Sequence, residues 1–138
     1  MAHITKAEYE TLAAFRYGLR HFINYSERAA QAAGLTPQQH QALLAIRGFP
    51  GRDHVTVGEL AERMQIRHHS AVGLIDRLAG DGLVKRRTSP DDRRQVWIAL
   101  TARGLESLER LSASHQEELR RIGPNLRRML DQLSAAES

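Results

Sequence analysis

Residues 57–81 constrain this chain most. VGELAERM (57–64) and RHHSAVGLIDRLAGD (67–81) each repeat apolar residues at helical spacing, and only Gln65-Ile66 separates them. Two short helices joined by so small a break form a helix-turn-helix candidate. Gly82 stops the second helix, and a basic segment follows at once. Leu83 to Thr88 and Gln95 to Leu100 read as strands, the second alternating Val96, Ile98 and Leu100 with Gln95, Trp97 and Ala99. Ser89-Pro90-Asp91-Asp92 between them are all turn residues. A helix pair followed directly by a basic two-stranded hairpin is the winged-helix arrangement.

Helices are expected on either side of it. Thr5-Lys6-Ala7-Glu8 has the form of a capping box, and Leu12, Phe15, Leu19, Phe22, Ile23 and Ser26 then recur at helical spacing as far as Ala33-Gly34. Thr36-Pro37-Gln38-Gln39 caps a second helix carrying Leu43, Leu44 and Ile46, which ends before Gly48-Phe49-Pro50-Gly51. Val55-Thr56-Val57 reads as a short strand. Beyond Thr101, Leu105, Leu108, Leu111 or Ser112, His115, Leu119 and Ile122 make one stripe, Gly123-Pro124 is expected to break it, and Leu126, Met129, Leu130 and Leu133 make another. The fold class expected is therefore mainly α, in the order α-α-β-α-α-β-wing-β-α-α. Residues 35–101 form its winged helix-turn-helix. Residues 1–34 and 102–138 carry more apolar surface than one small domain covers, and are expected to form a helical dimerisation region within a single intertwined domain. A monomer in which the end helices pack only on each other is the alternative.

Charge says where a partner would meet this fold. Residues 63–94 hold eight Lys and Arg against four acids, while the segments before and after are each balanced, so the whole net charge of +4 lies in the middle. A neutral frame around one basic centre points to a polyanion. With no cysteine, disulfides, thiolate zinc sites and thiol switches are excluded. No apolar stretch is long enough to span a bilayer, and MAHITKAEYE lacks the pattern of a signal peptide. A cytoplasmic protein with no membrane partner is expected.

On a helical wheel Ala71, Leu74, Ile75 and Leu78 face a core, whereas His69, Ser70, Val72, Gly73, Asp76 and Arg77 fall on the other side, with Arg67 and His68 at the N-terminus. Such a face can enter a major groove, its polar tips at base edges and the positive helix end near a phosphate. Lys85, Arg86 and Arg87 on one strand, Ser89 in the turn, and Arg93 and Arg94 at the tip would follow phosphates or reach a minor groove, where the negative potential deepens. Asp92 is close enough in sequence to hold the Arg94 guanidinium by a charge-assisted bond and preset its direction. The seven histidines include no i, i+4 pair, so no metal is expected. No nucleophile turn or phosphate loop marks an enzyme, and no cofactor is expected.

The stretch TVGELAERMQIRHHSAVGLIDRLAGDGLVKRRTSPDDRRQVWIALTARG resembles the DNA-binding region of the multiple-antibiotic-resistance regulator (MarR) family. Asp92-Arg93-Arg94 matches the family's Asp-x-Arg wing pattern, and a strand ending in Leu100-Thr101 follows it as in the family. The resemblance implies a homodimer of winged helices that binds double-stranded DNA at a pseudo-palindromic operator. It also implies a transcriptional regulator, most often a repressor of its own and neighbouring genes, released by a small aromatic or phenolic effector. The chain departs from the family where polar or basic residues commonly sit, carrying Val72 and Gly73 there. Five of seven aromatics lie in the first helix, and Tyr17, His21 and Tyr25 follow an i, i+4, i+8 path beside Arg16 and Arg20. Since the family's effectors bind between helix one and the winged helix, these five residues are the candidate effector pocket. The alternatives are a winged-helix protein-interaction module and a metal-responsive sensor using the histidines.

Overall fold

A computed structural model describes residues 3–135, which form α1 (Lys6–Ala32), α2 (Pro37–Arg47), β1 (His54–Val55), α3 (Val57–Met64), α4 (His68–Gly80), β2 (Val84–Thr88), β3 (Val96–Leu100) and α5 (Ala102–Ala135). Two compact units emerge: residues Ala30–Leu111, and the first helix to Ala29 with the last from Ser112. The outermost ends of the expected dimerisation region, residues 1–2 and 136–138, lie outside the described residues.

Within Ala30–Leu111, side-chain hydrogen bonds start α2 and α3. Thr36 Oγ1 accepts from the Gln39 amide while Gln39 Oε1 accepts from the Thr36 amide, both at 3.0 Å, and Pro37 opens α2 where its missing N–H costs nothing. The same reciprocal pair recurs at Thr56 and Glu59, with the Thr56 amide 2.8 Å from Glu59 Oε1. This second box explains why β1 stops at Val55: Thr56 is the cap of α3, and Val57 its first helical residue. Gln65 ends α3 in the left-handed conformation at φ 54°, making the turn to α4. Leu43, Ile46, Val55, Leu60, Leu74, Ile75, Leu78 and Ile98 are fully buried together as the core, so every helix of the trio and the sheet contribute to it. The sheet is antiparallel in the order β1-β3-β2, with Val55 opposite Ile98 and Arg87 opposite Trp97. Of the expected alternating set only Ile98 is fully buried; Val96 lies near the hairpin's free end and is 41% exposed. In the middle of the central strand, Ala99 is buried too, flanked by His54 and Lys85.

In the other unit, α1 and α5 pair. They approach closely at Gly18, where an added Cβ would lie 2.9 Å from Leu126 Cδ2. Thr5 and Glu8 form the expected cap of α1, each amide 3.1 Å from the other side chain's oxygen. The expected break at Gly123-Pro124 is corrected: α5 runs through it unbroken, with Pro124 inside the helix. A proline removes one donor and crowds the carbonyl four residues back. Pro124 and Arg120 are both exposed, so the carbonyl that loses its partner lies on the solvated side of α5 and the helix continues.

Candidate nucleic-acid interface

α4 buries Ala71, Leu74, Ile75 and Leu78 and leaves the opposite side uncovered. Arg67 caps the helix by its backbone alone, with no side-chain bond at this end. Arg67, His68, His69, Val72, Asp76 and Arg77 are exposed, while Ser70 and Gly73 are half-buried. A Cβ built at Gly73 would meet only Arg77 Nη1, at 3.6 Å, so the groove-ready face is shallow at its middle.

The hairpin carries its cations differently from one another. Strand alternation sends Lys85 and Arg87 to one face and Arg86 to the other. Arg86 forms an ion pair with Asp76 of α4, a partner that alternation alone does not reveal. Arg87 lies over the Trp97 ring, its guanidinium carbon 5.5 Å from the centroid. At the tip, Asp92 does hold Arg94: its Oδ1 accepts from the Arg94 amide at 3.0 Å and from Nε at 3.3 Å. The Arg94 side chain nevertheless stays 91% exposed. Arg93 is exposed and ion-pairs with no described residue. Ser89 is only 3% exposed, and its hydroxyl oxygen accepts from the amides of Asp91 and Asp92 at 3.2 and 3.3 Å. It shapes the turn and is placed to support the wing from inside.

Two further features were not legible as parts of this surface. His54 stacks on Trp97 with centroids 3.9 Å apart and planes at 22°, joining β1 to the hairpin. Phe49, in the loop before β1, is flanked by Arg52 and Arg63, at 4.4 and 4.9 Å from its centroid. The Arg87–Trp97 pairing follows once the hairpin register is known. The His54 contact depends on a two-residue strand too short to mark itself in the sequence.

The five residues of the candidate effector pocket do not gather in one place. Tyr17 and His21 line a cavity of about 290 Å³ with Gly18, Arg121, Asn125 and Leu126, all from α1 and α5. Arg16 and Arg20 are exposed and outside its lining, and Tyr25 instead bonds Ser114 of α5. Among the described residues no three His, Asp or Glu side chains are grouped as a metal would need. No described helix is long and apolar enough to cross a membrane.

A helix pair with a short turn, a core-facing second helix with an open outer side, and a three-stranded sheet whose hairpin projects cations define a winged helix-turn-helix. The model of the MarR family matches residues 33–95. The transcriptional repressor YetL of Bacillus subtilis is 32% identical over 93 residues, covering 67% of this chain and 54% of that protein. The chain spans about half the length of the curated relatives it matches. A MarR family protein from Bacillus stearothermophilus superposes with a TM-score of 0.78 at 22% identity, covering 99% of both chains. A Staphylococcus aureus MepR mutant bound to an oligodeoxyribonucleotide superposes at 0.69 with 20% identity, covering 95% of this chain and 99% of that one. The winged helix-turn-helix of this chain belongs to the MarR family.

Proposed function

We propose that this chain is a DNA-binding transcriptional regulator acting as a homodimer, with α4 in the major groove and the wing at the flanking minor groove. The observation that carries the reading is the outer side of α4, where Arg67, His68, His69, Val72 and Arg77 are exposed, beside a hairpin tip where Arg93 ion-pairs with no described residue and Arg94 is held outward by Asp92. Backbone positioning then falls to Arg93 and Arg94 at the wing tip, and base reading to His68, His69 and Ser70 at the start of α4, with Val72 able to meet a thymine methyl. The S. aureus MepR mutant bound to an oligodeoxyribonucleotide has this fold, which supports the reading. So does the repressor YetL, and repression of its own and neighbouring genes is the regulatory sense proposed here.

Two copies would present two recognition helices to a pseudo-palindromic site. Residues 1–34 and 102–138 are proposed as the dimerisation region, supported by the exposed Tyr9, Leu12, Leu19 and Ile23 of α1 and Leu119 and Leu130 of α5. Release by a small aromatic effector is proposed as the control. Its support is the cavity in which the Tyr17 and His21 rings, 5.7 Å apart, lie beside Arg121 and apolar side chains.

Binding of the protein to a duplex from upstream of its own gene tests the central claim. Affinity is expected to fall steeply with added salt, by roughly 0.9 in log–log slope for each phosphate neutralised. Arg94→Ala is expected to weaken binding to every duplex alike, while His69→Ala changes the preference among sequences. Salt-insensitive binding, or equal loss from both variants at every sequence, would sink the assignment.

A further inference from the structure

We propose that Trp97 is a positioning residue of the wing: gripped by His54 and Arg87, its ring sets the direction in which the hairpin leaves the helix-turn-helix, and Arg87 serves that ring instead of a phosphate. The role rests on the DNA-binding reading, because a wing needs a set direction only if its tip must meet a groove at a fixed distance from α4.

The sheet register supplies the argument. Arg87 stands directly opposite Trp97, and Lys85 and His54 both stand opposite Ala99, so His54, Lys85, Arg87 and Trp97 share one face. Val55, Val84 and Ile98 occupy the other face and are buried in the core. His54 is therefore the diagonal neighbour of Trp97 across two strands, within the reach of ring contacts. The ring is fixed at its edge as well, since the indole N–H donates to Gln95 Oε1 at 3.0 Å. Apart from the small side chain of Ala99, its neighbours on this face are polar or charged, so completing an apolar core does not explain it.

What the stack joins matters more than its area. β1 has only two residues, and the next one, Thr56, caps α3. The His54–Trp97 contact thus ties the hairpin to the strand that launches the first helix of the pair. On the opposite face, the Arg86–Asp76 ion pair ties the same hairpin to α4. The wing is held to one helix of the pair on each side. A guanidinium over an indole and a ring stacked on it both gain from partial removal from water, and both are directional. Arg87 is consequently committed to a geometry, while Arg93 at the tip is not.

The chain has one tryptophan, so its emission reports this stack alone. Arg87→Gln and Trp97→Ala are expected to weaken duplex binding by the whole chain roughly tenfold, without altering the slope of log affinity against log salt. Arg93→Gln, by contrast, should lower that slope by about one per protomer. Trp97→Phe, which keeps a ring for both neighbours, restores most of the affinity. In the free protein, His54→Ala and Arg87→Gln shift the emission to the red as the indole loses cover. If Trp97→Ala loses its helical circular dichroism, Arg87→Gln and Trp97→Phe carry the test. A slope lowered by Arg87→Gln as much as by Arg93→Gln overturns the proposal, for Arg87 is then a phosphate ligand. Wild-type affinity in Arg87→Gln overturns it too. Failure of the unaltered chain to bind any duplex overturns the DNA reading itself, and is told apart because it does not depend on residues 54, 87 or 97.

Discussion

At Gly104 the first turn of α5 lies directly on the end of the α4–β2 corner. An added Cβ would sit 2.1 Å from the Leu83 carbonyl oxygen, which already accepts from the Thr101 amide at 3.0 Å. Thr101 completes the junction: its hydroxyl donates to the Gly82 carbonyl at 2.7 Å and accepts from the Gly104 amide at 3.0 Å. The obstacle is backbone on both sides and cannot swing aside as a side chain would. Gly104→Ala, which would gain helix propensity at an open site, is therefore expected to destabilise by at least about 1–3 kcal/mol. Thermal unfolding followed by circular dichroism checks it; an unchanged or higher midpoint would refute the close approach. In the sequence this glycine goes unremarked three residues after Thr101, because no local pattern shows which carbonyl it will meet. The pair Ser26 and His115 teaches the same lesson. Each fits an apolar stripe by spacing, yet their Oγ and Nε2 lie 2.8 Å apart, with the His115 ring edge-on to Phe22 and Tyr25.

Elements were more legible than contacts because their signals are local. Caps, turn residues and apolar spacing placed α1 to α4 and both hairpin strands within a residue or so. The error at Gly123-Pro124 came from treating a proline as a stop, when its effect depends on whether the deprived carbonyl can reach water. The α3 cap at Thr56-Val57-Gly58-Glu59 was readable by the same rule that found Thr5 and Thr36, yet the neighbouring valines made it look like strand. It carries a pH consequence. Burial raises the Glu59 carboxyl, but the Thr56 amide, the Arg52 guanidinium and the Thr56 hydroxyl together outweigh it and hold it below its ordinary 4.5. A carboxyl lowered on folding contributes stability that is fully present above its unfolded value and disappears as pH falls through the folded one. The cap of α3 and the Arg52 pair should thus weaken only below about pH 4.5. Melting temperatures of wild type and Glu59→Gln, measured from pH 7 downward, are expected to differ at neutral pH and converge in acid. A constant gap across that range would mean that the Glu59 charge contributes nothing to the cap.

For the whole molecule, the charge ledger and the apolar surface point to the same assembly. The sequence places eight cations in residues 63–94, but Arg86 is paired with Asp76, Arg87 lies over Trp97 and Arg63 lies against Phe49. Fewer of them are free to meet phosphates than composition implies, so one copy has modest electrostatic means of holding DNA. Two copies on one duplex would double the phosphate contacts, and with them the salt slope. The pairing proposed above would use the helical unit. Tyr9, Leu12, Leu19 and Ile23 recur along α1 at helical spacing, and Ile23 is 54% exposed. Scattered surface hydrophobes are ordinary, but a stripe along one helix is the mark of an interface. Ile23→Glu puts a charge into that stripe without touching α4 or the wing. It is expected to convert a dimer to a monomer in sedimentation, to leave the helical signal of Ala30–Leu111 in place, and to flatten the salt dependence of duplex binding by about half. A variant that stays dimeric would remove α1 from the interface. One that becomes monomeric yet binds with the wild-type slope would show that a single winged helix makes all the phosphate contacts by itself.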